Sequence, residues 1–86
     1  MIVGVNRVCE HEGREYHIQA EDLGVEAAVF EVRVYLAGSV LWRKRISYND
    51  LLEKSLGRLE QEEVLRAQME KMLQTVRAAI VKGKLA

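Results

Sequence analysis

Polar and apolar residues alternate through the first half of this chain, and after Ser47-Tyr48-Asn49-Asp50 the apolar period changes from two to 3.6. A period of two puts successive side chains on opposite faces of a strand, whereas the longer period gathers them on one side of a helix. Strands followed by helices, with no helix between strands, specify an antiparallel sheet and an α+β fold. The expectation is one domain: a four-stranded antiparallel β-meander over residues 1–48, then a short helix and a long amphipathic C-terminal helix over residues 49–86. No linker, repeat or low-complexity tract divides it, and proline is absent.

Turn residues set the register. Glu12-Gly13 lies between two alternating runs and reads as a two-residue hairpin whose glycine takes the positive φ that a primed turn needs. Cys9 then opposes Tyr16, Val5 opposes Ala20 and Val3 opposes Asp22, with Arg7 opposite Ile18 as the weak point of the shared apolar face. The second strand, 15–22, turns Tyr16, Ile18 and Ala20 one way and Glu15, His17, Gln19 and Glu21 the other. The third, 28–36, turns Ala28, Phe30, Val32, Val34 and Leu36 inward and Glu31, Arg33 and Tyr35 outward. Ala37-Gly38-Ser39 is expected as a three-residue loop that sets Leu36 against Val40, Val34 against Trp42 and Phe30 against Ile46. A two-residue loop would set Val34 against Arg43 and put inward residues against outward ones.

Ser47 and Asp50 have capping-box spacing, which places a short helix over 49–56. Gly57 ends or kinks it, and Glu60, Glu62 and Glu63 favour a second helix N-terminus. From Leu65 onward Met69, Met72, Leu73, Val76, Ala79 and Ile80 fall within one arc, with Arg66, Lys71 and Arg77 outside it. Such a stripe must be covered by the sheet, by a second copy or by a partner. A domain this small buries only roughly 60–65% of its unfolded surface. Leu65, Met69, Met72, Leu73, Val76 and Ile80 are therefore expected as a protein interface, in a non-enzymatic interaction or self-assembly module that forms a homodimer or binds another protein.

Thirteen basic and thirteen acidic residues cancel, which removes the bulk attraction nucleic-acid binders use. The distribution is uneven: residues 1–30 carry six acidic and two basic side chains, residues 31–58 three and six. A nucleic-acid alternative would use Arg33, Tyr35, Arg43 and Arg45 on one sheet face, but Glu31 should lie opposite Arg45, with Glu15 and Glu21 close by. Trp42 points inward in this register, as a core residue. An enzyme alternative would centre on His17 with Glu15, Glu21 or Asp22, yet no phosphate loop, nucleophile elbow or paired C-x-x-C accompanies them. Cys9, His11 and His17 are zinc-ligand types, but Cys9 points inward, His11 sits by the turn and His17 points outward, so they do not converge. No motif calls for a metal or cofactor. A lone cysteine and the lack of a long apolar run make a reducing cytoplasm, with no membrane association, the expected location.

The run from Glu12 to Gly24, with Tyr16-His17-Ile18-Gln19-Ala20-Glu21-Asp22 at its centre, resembles a pattern in short uncharacterised bacterial proteins, roughly E-G-R-x-Y-H-v-Q-T-E-D-x-G. Gly38, the Ser47-Tyr48 pair, and Met69 with Met72 match further features of those chains. Ala20 stands where threonine is usual, and Gln68-Met69 where a glutamine-histidine pair is common. The resemblance carries no established activity.

Overall fold

The computed structural model describes residues 4–84. Four strands form one antiparallel sheet in the order β1-β2-β3-β4: β1 (Gly4–His11), β2 (Arg14–Asp22), β3 (Val29–Leu36) and β4 (Ser39–Ser47). Two helices follow, α1 (Asn49–Leu52) and the 24-residue α2 (Arg58–Val81). The fold is the expected α+β meander with a short and then a long helix.

The first hairpin has the expected register: Cys9 pairs with Tyr16, Arg7 with Ile18 and Val5 with Ala20. The Val3–Asp22 pairing lies outside the described residues. Glu12 and Gly13 take φ of 52° and 77°, both left-handed as a type I′ turn requires.

The second hairpin differs from expectation at its turn. Ala37 and Gly38, with φ of 53° and 81°, make the same two-residue primed turn, so Leu36 faces Ser39 and Tyr35 faces Val40. A β-bulge then leaves Leu41 without a partner, and the ladder resumes with Val34 opposite Trp42 and Phe30 opposite Ile46. The extra residue corrects parity inside the strand instead of inside the loop. A primed turn matches the twist of the flanking strands, which an extended loop would not do.

The other boundary shifts have equally local causes. Ala28 is left-handed, at φ 52°, so β3 begins one residue later, at Val29. Helix α1 spans only Asn49–Leu52 instead of reaching residue 56, and Gly57 is the N-cap of α2. The capping box does not form: Tyr48 is the N-cap of α1, and the Ser47 Oγ accepts the Asn49 N–H at 3.3 Å. That bond spans two residues, a local turn that competes with a true cap.

Helix α2 crosses the inward face of the sheet, lying chiefly on β1, less on β2 and least on β3. Leu65, Met69, Leu73, Val76 and Ile80 are buried, in one cluster with Val5, Cys9, Ile18, Ala20, Phe30, Val32, Val34 and Leu51. Full burial of each such aliphatic or aromatic side chain contributes about 1.5–3 kcal/mol, so this cluster is the main source of stability. Arg7, the interruption in the apolar face of β1, bonds Glu70 of α2 and so closes the helix over that edge.

Candidate functional site

The outward face of the sheet carries the residues of the nucleic-acid alternative, and a network of carboxylates engages them. Arg33 on β3 donates to Glu21 of β2 at 2.8 Å, and Arg45 on β4 donates through Nε to Glu31 of β3 at 3.0 Å. Glu31 is buried, and the hydrogen bond from Arg45 holds its carboxyl below the usual range, helped by the charges of Arg33 and Arg43 and opposed by desolvation. The Arg33 Nε lies 3.6 Å from Glu31, too far for a hydrogen bond, and is buried without a partner. Tyr35 is half-buried. This face is a neutralised charge ladder in which Arg43 forms no ion pair among the described residues.

The residues of the enzyme alternative separate. His17 Nε2 lies 3.0 Å from Glu15 Oε1, both side chains about half exposed on the outward face. Glu21 is bound to Arg33, and Asp22 points the other way. There its Oδ1 accepts the Tyr48 hydroxyl at 2.5 Å and the Gly24 N–H at 2.9 Å. Burial and the Asp22 carboxylate push the Tyr48 phenol well above its ordinary 10.0. With the Tyr48 N–H donated to the Ala28 carbonyl, this pair ties the end of β2 to the start of α1. Asp22 thus serves as a carboxylate that closes the fold. Cys9 is buried, His11 is half-buried beside the turn and His17 is exposed.

Five of the six residues expected at a protein interface are covered by the chain's own sheet, and Met72 alone is partly exposed. A homodimer built on that stripe would first have to lift α2 from the sheet. The apolar surface that does remain open lies at the other side of the molecule. Because α2 sits toward β1, the inward residues of β4 are left incompletely covered: Trp42 and Ile46 are partly buried and Lys44 between them is exposed. A groove of about 360 Å³ runs between β4 and α2, walled by Phe30, Ile46, Lys71, Met72 and Thr75. Leu41, 41% exposed, continues the apolar surface toward the turn, beside Tyr16, Leu36 and Ile80.

The main chain of β4 is also open, since only β3 pairs with it. The Tyr48 N–H donates to Ala28 O at 2.8 Å, the rung just beyond the Val29–Ser47 pair. Alternation of antiparallel rungs then makes Phe30/Ile46 and Val32/Lys44 the pairs that exchange bonds, and directs the N–H and C=O groups of Arg43 and Arg45 to the free edge. Sequence alternation placed Trp42 in the core, and this site went unseen because coverage of β4 depends on where α2 lands. The one local signal was Arg43-Lys44-Arg45 between two large apolar residues.

No family model, curated protein or solved structure matches this chain. Among the described residues no helix is long and apolar enough to cross a membrane.

Proposed function

We propose that this chain is a non-enzymatic protein-binding module whose contact surface is the β4 side of the sheet. A single observation carries the reading: the long amphipathic stripe is spent on the chain's own core, while Trp42, Ile46 and Met72 stay incompletely covered beside an unpaired strand edge. Partly exposed apolar residues that converge on a groove, flanked by free main-chain donors and acceptors, are the usual makings of a polypeptide contact. The Arg33, Tyr35, Arg43 and Arg45 face is less suited to nucleic acid, because two of its three arginines already hold carboxylates. His17 is less suited to catalysis, because of its carboxylate neighbours only Glu15 meets it.

The test is site-specific photo-crosslinking in cells. A photoreactive residue at position 72 should give one saturable protein adduct, and the same residue at position 10, on the outward face, should give none. Ile46→Glu, checked for an unchanged circular dichroism spectrum, should abolish the adduct. Equal adducts from both positions would remove the reading.

A further inference from the structure

We infer that the β4 edge accepts an extended segment of a partner protein as a fifth strand, and that this segment reads apolar-acidic-any-acidic-apolar. The inference rests on the protein-binding reading above and specifies the partner. An antiparallel strand seated here would take its main-chain bonds from Arg43 and Arg45, whose N–H and C=O groups face the edge. Residues of that strand directly opposite Arg43 and Arg45 share their outward face, within side-chain reach. Arg43 forms no ion pair among the described residues, and Arg45 uses its Nε on Glu31, which leaves its terminal nitrogens for a second carboxylate. Aspartate or glutamate belongs at both positions.

The alternate positions fall on the inward face. Opposite Trp42 and Ile46 an apolar side chain would complete cover that α2 leaves unfinished, along the groove that reaches Met72. Opposite Lys44, which is exposed, the structure makes no demand. A second copy of this chain is a poor occupant through the same strand, because two β4 edges side by side set one Arg43-Lys44-Arg45 run against another. Edge lysines and arginines commonly guard a sheet against self-pairing. Here the same charges select an acidic strand.

The full chain carries its own reporter, since Trp42 is its single tryptophan. A peptide with Val-Glu-Thr-Glu-Val at its centre should shift Trp42 emission saturably, with affinity that falls as salt is raised from about 0.05 to about 0.5 M. Arg43→Glu, which places a carboxylate opposite Arg33 and is checked for an unchanged circular dichroism spectrum, should weaken binding about five-fold. N-methylation of the two glutamate amides should weaken it at least about ten-fold, since it blocks the strand bonds and keeps the charge. Equal binding of a peptide with lysines for glutamates, indifference to N-methylation, or no response to any peptide would each overturn the inference. So would a Trp42 response only to a helical peptide or an oligonucleotide, or a doubled solution mass. The crosslink at position 72 needs no assumed peptide sequence, so the broader reading stands or falls separately.

Discussion

Asp22 holds a carboxyl group out of water with two donors, the Tyr48 hydroxyl and the Gly24 N–H. Removing one of them by Tyr48→Phe should cost about 1–3 kcal/mol at neutral pH, read from the urea midpoint. The pH dependence has a definite sign. The Tyr48 phenol is raised in the folded chain, so the unfolded chain releases its proton first, near 10. Its contribution is complete below that pH and declines as pH rises further, so the gap between wild type and Tyr48→Phe should narrow above about pH 10. Glu31 has the opposite sense: its lowered carboxyl stabilises the fold above the ordinary 4.5, and that contribution fades as pH falls below it. Glu31→Gln should therefore flatten the acid limb of a stability–pH curve; an unchanged limb would show that the Arg45 bond carries no weight.

At the scale of elements, the two hairpins share one turn type but not one turn sequence. Gly13 and Gly38 suit their left-handed positions, whereas Glu12 and Ala37 carry a side chain at φ near 52°. Asparagine tolerates that conformation far better, so Ala37→Asn should stabilise the chain by about 0.5–1 kcal/mol and raise its melting temperature. Met69, fully buried on the sheet-facing side of α2, marks the opposite extreme; Met69→Ala should cost about 2–5 kcal/mol in the same measurement. Strand order, most pairings and the buried stripe of α2 were all legible in the residues, because alternation and the 3.6 period report directly which side of an element is covered. The β4 bulge was not legible, since a two-residue turn plus a bulge and a three-residue loop restore the same parity at Trp42. Nor was the candidate site, because no local pattern near Trp42 says that a helix sixteen or more residues later will lie over β1 instead.

For the whole molecule the asymmetric seat of α2 gives the sheet two unlike edges. At β1 the helix is close and the Arg7–Glu70 bond closes over it; at β4 the groove stays open. Amide exchange should reflect the difference, with Arg43 and Arg45 N–H groups exchanging far faster than those of Phe30 and Val32 on the neighbouring central strand. Comparable protection at Arg43 and Arg45 in the isolated chain would mean that the β4 edge is already occupied.

The unbroken order β1-β2-β3-β4 also governs how the chain acquires its shape. Each strand pairs with the one made just before it, so the sheet needs only short loop closures and can assemble quickly. Arg7 and Glu70, in contrast, are 63 residues apart in sequence. During synthesis the sheet emerges with its apolar face bare, and the cover arrives only with the last element. The stretch between the two is a window in which the nascent chain, and not the finished one, presents its largest sticky surface.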